Sequence, residues 1–220
     1  AYYFFLLSSL YEKRFLDDPV SDCVTAYRKF PGGKCNIHFA GESFNEIQKR
    51  GECDAVAMDV EGFYDNMDHQ YLKHSWSSLL ETELLPLDHY QVFRAITRYA
   101  YIDRNELYKT LSIGRRRAKS HRGPYCSPQE FRDQIRGNGL IHTHRDNKGI
   151  PQGSPISALL SNLYMWDFDH AMFDCCHVRN WHYRRYSDDI LIIGNAGEAE
   201  EIESLTREKL KTMKLSLGEH

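Results

Sequence analysis

The chain has 220 residues, of which 41% are hydrophobic, 27% charged and 13% aromatic, a balance that places it among globular domains and excludes the disordered, collagen-like and membrane-embedded classes. A formal net charge of −3 excludes a uniformly basic nucleic-acid coat and leaves room only for a local basic patch. The six cysteines show neither a CxxC pair nor the density of a small disulfide scaffold, and they read as reduced intracellular thiols.

From Tyr2 to Phe15 apolar residues recur at spacings of three and four (Phe4, Leu7, Leu10, Tyr11), which predicts an amphipathic helix before the Asp17-Asp18-Pro19 break. Its apolar opening, Ala1 to Leu7, falls far short of the ~20 residues that span a bilayer, so no membrane contact is expected. A start inside a helix without a cap reads as a piece of a longer protein. Phe39 to Arg50 predicts a second helix, with Ser43 as an early cap and Gly51 as its stop. Cys53 to Val60, short and largely apolar between two glycines, predicts a buried strand ending on carboxylate Asp59. Helices are predicted over Asp68–Leu80 and Pro86–Tyr101. Gly114 to Asn147 reads as a solvated arm whose basic cluster, Arg115, Arg116, Arg117, Lys119 and Arg122, contains no acid. After Pro151-Gln152-Gly153, the spacing of Ile156, Leu159, Leu160 and Leu163 predicts a helix. The chain is then expected to turn to sheet, with strands His182–Tyr186 and Ile190–Ile193 joined by a hairpin at Ser187-Asp188-Asp189. A last helix is predicted from Glu198 to Met213.

Asp59, Asp188 and Asp189 stand at strand ends, where an isolated acid usually serves as a turn or cap residue. If the Asp59 strand lies beside the hairpin, at least two carboxylates converge, and their repulsion is tolerable with a cation between them. Hard oxygen donors suit magnesium, which takes substrate phosphates as further ligands, so the implied chemistry is phosphoryl transfer. His142, His144 and Cys175-Cys176-His177 lack a second ligand pair at zinc spacing. Asp65 and Asp68 fall where a helix starts and read as structural.

Three stretches stand out, in this order: Ala57-Met58-Asp59-Val60-Glu61-Gly62-Phe63-Tyr64-Asp65-Asn66-Met67-Asp68-His69, Gly149-Ile150-Pro151-Gln152-Gly153-Ser154-Pro155-Ile156-Ser157 and Tyr186-Ser187-Asp188-Asp189. They resemble the first, second and third motifs of the reverse transcriptase palm. Ser21–Arg28 and Asn36–Ala40 are similar to the segment before the first motif in bacterial retron, group II intron and abortive-infection enzymes. Ile156–Met165 resembles the defence-associated, antiphage members.

The resemblance implies an α/β (α+β) fold: a right-hand polymerase palm with an antiparallel sheet backed by helices, plus partial helical fingers. Residues 1–50 would be partial fingers, 51–112 the first part of the palm, 113–148 a basic insertion, and 149–220 the second part of the palm. The N-terminal fingers, the thumb, the primer grip and a lysine near the leaving group are expected outside this sequence. Asp59, Asp188 and Asp189 would be catalytic, with Asp59, Val60 and Asp188 holding two Mg2+ ions, or Mn2+. Tyr64 would crowd the sugar 2′-position and favour deoxynucleotides. Gln152 and Gly153 would approach the incoming nucleotide, Phe63 is grouped with them although its ring reads as core, and the amides of Glu61–Phe63 would touch the triphosphate. Ser154 reads as a helix cap. Arg115, Arg116, Arg117 and Lys119 would track a phosphate backbone, with Tyr125 available for stacking, and Arg28 and one of the alternating pair Arg184 and Arg185 would face nucleic acid. The implied activity is RNA-directed DNA synthesis from dNTPs in the bacterial cytoplasm in antiphage defence, with an RNA template (a dedicated non-coding RNA among the candidates), a DNA product and oligomerisation open. The alternatives are template-independent or protein-primed synthesis on the same site, and a catalytically weak RNA-binding scaffold.

Overall fold

The computed structural model describes residues 2–114 and 122–218, so the predicted contacts of Arg115, Arg116, Arg117 and Lys119 lie outside the described residues. In chain order the elements are α1 (Tyr2–Arg14), α2 (Asn36–Arg50), β1 (Cys53–Asp59), α3 (Phe63–Asn66), α4 (His69–Leu79), α5 (Leu87–Thr97), β2 (Ala100–Tyr101) and α6 (Arg104–Thr110). There follow α7 (Pro128–Glu130), which continues into a π-helical stretch over Phe131–Arg136, then β3 (His142–Thr143), α8 (Pro155–Tyr164), α9 (Trp166–Arg179), β4 (His182–Tyr186), β5 (Asp189–Asn195) and α10 (Ala199–Thr212). Residues 1–93 with 147–220 form one compact unit and residues 94–146 another. No described helix is long and apolar enough to cross a membrane.

In the first unit the sheet runs β1-β5-β4, antiparallel throughout. Because side chains alternate across a strand and paired residues share a face, the register sorts the sheet into two surfaces. Met58, Ile190, Val56, Ile192 and Tyr183 share one, against which α9 and α10 pack. Gly194 is required there by close approach, since a Cβ would stand 2.8 Å from Ile202 Cδ1. The other surface carries Asp59, Ala57, Asp189, Leu191, Arg184 and Tyr186, and α2 lies over part of it. One face is therefore core and the other is open to chemistry.

Sequence pattern and structure differ at four places. α2 begins at Asn36, where Cys35 and His38 form a reciprocal cap, and Ser43 instead donates its hydroxyl to the Phe39 carbonyl at 3.0 Å within the helix. The helix predicted through Tyr101 stops at Thr97, because Ala100 and Tyr101 pair with Thr143 and His142. The arm predicted from Gly114 has local order in its described part, since Ser127 and Glu130 form a capping box that starts α7. Finally, α9 occupies the stretch expected to pass straight to sheet. Its inward positions, Phe168, Asp169, Met172 and Cys176, include a carboxylate and a thiol, so no clean apolar stripe announces it.

Candidate active site

β1 and β5 bring the carboxylates together by register: Asp59 is the direct partner of Asp189. Asp188 joins them because β4 and β5 are linked by the two-residue turn Ser187-Asp188, in which Ser187 adopts φ +59°, the left-handed start that matches the twist of a hairpin. The Val60 amide donates to the Asp188 carbonyl at 3.2 Å. In an extended strand the N–H and C=O of one residue point to the same side, so the Val60 carbonyl also faces Asp188. On its other side the chain after β1 is held by Leu217, with Glu61 N–H donating to Ser216 and Gly218 N–H to Asp59, both at 2.9 Å. The Glu61 amide is thereby committed, which leaves Gly62 and Phe63 of the three amides expected to meet a triphosphate.

Asp189 feels the other two acids. The Asp189 carboxyl is held above the usual carboxylate range by partial burial first, then by the negative charges of Asp188 and Asp59, although the residue remains open to solvent. Because the folded value is raised, the cost of ionising Asp189 is absent below its unfolded pKa near ~3.9, grows as pH rises through the folded value, and stays constant above it. We therefore expect Asp189→Asn to melt slightly higher than the parent at pH 7 without added metal, the gain kept small by solvent screening of an exposed group. The gap should close near pH 3.5 in thermal melts, and a gap of equal size at both pH values would contradict the arrangement.

Among the described residues no three His, Cys, Asp or Glu side chains are gathered so as to hold a metal ion alone. The donors on hand would instead be the two carboxylates of Asp59 and Asp188 and a main-chain carbonyl, all oxygen, with Asp189 beside them adding negative charge that a cation would relieve. This fits a hard divalent ion that keeps waters and accepts phosphate oxygens. Beside the acids, a cavity of about 550 Å3 is lined by residues that include Phe39, Ala40, Ser43, Ala57, Tyr186 and Leu191.

The second motif is tied to the first through main-chain bonds from Gly149 to Met67 (2.8 Å) and from Ile150 to Tyr64 (2.9 Å). Gly153 sits at φ +94° with open space where a Cβ would stand, and Gln152 beside it is exposed. Ser154 caps α8 by accepting from the Ser157 amide. Tyr64 is buried and its hydroxyl lies 3.4 Å from Ser161 Oγ, while Phe63 is a core ring.

Of the arginines named from sequence, Arg28 is turned inward, its side chain 4% exposed, paired to Glu12 at 3.1 Å and lying 3.7 Å over the Phe15 ring. This placement holds the segment before α2 rather than offering a free guanidinium. Arg184 pairs with Glu42 at 3.2 Å and with the Asp22 carbonyl. Arg185 is fully buried and donates to the Ser187 carbonyl at 2.7 Å, bracing the turn that bears Asp188. Sequence reasoning passed over this brace, and also Tyr27, which adopts φ +57° with its ring 6.4 Å from Tyr186. A hydrogen bond with Tyr64, then partial burial, raises the Tyr27 phenol above its ordinary value. Alternation along β4 was the available signal for Arg185, whereas a left-handed tyrosine has none.

An antiparallel sheet with acids clustered at one end of its open face, helices behind it and a glycine turn beside it defines the palm of a right-hand polymerase. The sequence matches the family described as reverse transcriptase (RNA-dependent DNA polymerase) over residues 22–220, and the chain belongs to that family. No curated protein sequence matches the chain. Among solved structures, apo telomerase from Candida tropicalis is similar over 97% of this chain and 34% of that one, with a TM-score of 0.57 and 12% identity. Telomerase from Candida albicans, solved with a TWJ fragment of telomeric RNA, is similar over 97% and 33%, with a TM-score of 0.56 and 11% identity. The corresponding Candida tropicalis complex gives 97% and 31%, a TM-score of 0.55 and 12% identity. The chain thus spans about a third of the length of these telomerases, and the likeness is one of fold.

Proposed function

We propose that this chain carries the nucleotidyl-transfer site of an RNA-directed DNA polymerase. The observation that carries the reading is the register that sets Asp59 against Asp189 and bonds Val60 to Asp188, on the open face of the sheet beside a cavity. In the reaction the 3′-hydroxyl oxygen of a primer attacks the α-phosphorus of a dNTP, its proton passes to water, a phosphodiester bond forms, and the bond to the β-phosphate breaks to release pyrophosphate. Asp59, Asp188 and the Val60 carbonyl would hold two divalent ions, Mg2+ or Mn2+, with Asp189 supporting them. Such ions favour the hydroxyl as a nucleophile and neutralise the charge that develops on the leaving group. Gly153 lets the main chain approach the nucleotide. An RNA template is supported by the family and by the RNA seen with two of the similar telomerases. A bacterial, cytoplasmic antiphage role rests on the resemblance of Ile156–Met165 to defence-associated members.

The test is incorporation of labelled dNTPs with Mg2+, with and without an RNA template. Template-dependent incorporation supports the reading. Incorporation without template keeps the site and replaces the function with untemplated synthesis, and RNA binding without incorporation leaves a scaffold. Within the same assay Tyr64→Val, which removes ring volume beside the site, is expected to shift the ratio of deoxynucleotide to ribonucleotide incorporation toward ribonucleotides by about tenfold or more. An unchanged ratio would assign Tyr64 to the core alone.

A further inference from the structure

Tyr27 stands at the apex of a turn tethered on both sides. Before it, Val24 bridges Arg185 in parallel, and the Thr25 amide and hydroxyl donate to the Arg185 carbonyl at 2.9 and 3.0 Å. The Ala26 carbonyl accepts from Asn162 Nδ2 at 2.7 Å, and after the turn Arg28 is paired to Glu12. Between these anchors Tyr27 adopts φ +57°, a left-handed conformation in which a Cβ crowds the following carbonyl. Strain of this kind persists where the surroundings over-determine it, and it gathers at functional sites. Packing does not account for the ring, since Tyr27 is 49% exposed.

The phenol has a directed contact instead. The Ser161 hydroxyl donates to the Ala158 carbonyl at 2.7 Å, so in its 3.4 Å contact with Tyr64 it accepts and the Tyr64 hydroxyl is the donor. The Tyr64 oxygen is left to accept from Tyr27, and the rise of the Tyr27 phenol through that bond is the sign of a donor. The donors therefore run from Tyr27 to Tyr64 to Ser161 and end on the main chain of α8, whose Asn162 also anchors the Tyr27 turn. At 3.4 Å the Ser161 contact exceeds the ordinary hydroxyl–hydroxyl range of about 2.5–3.0 Å, so by itself it holds the Tyr64 ring loosely.

We propose that Tyr27 is the positioning residue of Tyr64: its hydroxyl donates the hydrogen bond that fixes the Tyr64 ring as a wall against the sugar 2′-position, and so sets the preference for deoxynucleotides. The place of Tyr64 at the sugar rests on the polymerase reading, whereas the hold of Tyr27 on Tyr64 does not. A specificity wall has to be rigid, because a ring that swings aside by a fraction of an ångström admits the extra hydroxyl it should exclude. A strained but firmly tethered residue is suited to supplying that rigidity from outside the core.

The experiment compares kcat/KM for a dNTP and the matching ribonucleotide in the intact protein and in Tyr27→Phe, Tyr64→Val and the double variant. Tyr27→Phe keeps the ring and deletes only the donated bond. It is expected to lower discrimination about threefold while leaving dNTP incorporation within about twofold of the parent. In the Tyr64→Val background the same substitution should change nothing, because the ring it holds is gone. A second readout needs no catalysis: with Tyr64→3-fluorotyrosine, the 19F resonance of the ring should shift and broaden when Tyr27→Phe is added, at unchanged circular dichroism. An unchanged resonance overturns the proposal whether or not the protein polymerises. So does parental discrimination in Tyr27→Phe where Tyr64→Val has lost it, and so does a threefold change that persists in the Tyr64→Val background, which would set Tyr27 itself against the sugar. A moved resonance in a protein that incorporates nothing supports the hold on Tyr64 and fails only the polymerase reading.

Discussion

Asp188→Asn is expected to lower dNTP incorporation by at least about a thousandfold while leaving the melting temperature equal to or slightly above that of the parent. The first half follows from what an amide cannot do. It is nearly isosteric with the carboxylate, so the Ser187-Asp188 turn and the bond from the Val60 amide to the residue-188 carbonyl persist. The site nevertheless loses one of the charges that would hold a divalent ion, and several kcal/mol of transition-state stabilisation correspond to about three decades in rate. The second half follows from the repulsion that raises the Asp189 carboxyl, to which Asp188 contributes. Removing one charge relieves it. A purely structural Asp188 would give the reverse pattern, with stability lost and activity lost only in proportion to the unfolded fraction. Initial rates and thermal melts on the same preparations separate the two. Asp59→Asn should behave alike, because Asp59 faces Asp189 across the ladder.

The strands and helices that form this site were legible where local pattern sufficed. Cys53–Asp59 is a short, largely apolar run between two glycines and α8 has apolar residues at helical spacing, so local pattern marks both. β1 is nevertheless buried only at Met58 and not throughout as the run suggests, because its other face is the open one. The pairing of Asp59 with Asp189 is separated by 130 positions and no local signal encodes it; the resemblance of three motifs supplied it. α9 escaped because its buried face includes Asp169, and an acid on an inward position erases the stripe by which a helix is read. Arg28 escaped for a related reason. Composition assigns an arginine to solvent, whereas here the rings of Phe15 and Phe30 and the carboxylate of Glu12 give it an interior. What remained hidden were buried charges whose partners are distant in the chain, and one of these pairs supports the turn that bears Asp188.

That pair is Arg185 and Asp169, side chains 0% and 1% exposed. The guanidinium grips the carboxylate with two bonds, Nε to Oδ1 at 2.7 Å and Nη2 to Oδ2 at 2.6 Å, and Tyr183 donates to the same Oδ1 at 2.6 Å. Its remaining nitrogen reaches the Ser187 carbonyl at 2.7 Å and Asn162 Oδ1 at 3.3 Å. Burial alone would lower the basicity of Arg185, and the charge of Asp169 more than offsets it. Arg185→Met strands a carboxylate in the core and is expected to cost about 3–5 kcal/mol, a fall in melting temperature of about 10 °C. A triple variant, Asp169→Leu, Arg185→Met and Tyr183→Phe, removes the charges and the phenol together and is expected to recover most of that stability, since a buried ion pair replaced by apolar groups is often neutral or better. Incorporation should not recover with it. The Ser187 carbonyl would have lost its tether, and the turn would hold Asp188 less firmly against Val60. The loss is expected in kcat more than in KM for the nucleotide, because alignment of the reacting groups is what fails. If the triple variant regains both stability and rate, the network is structural alone; if it regains stability and not rate, Arg185 is the positioning residue of the turn.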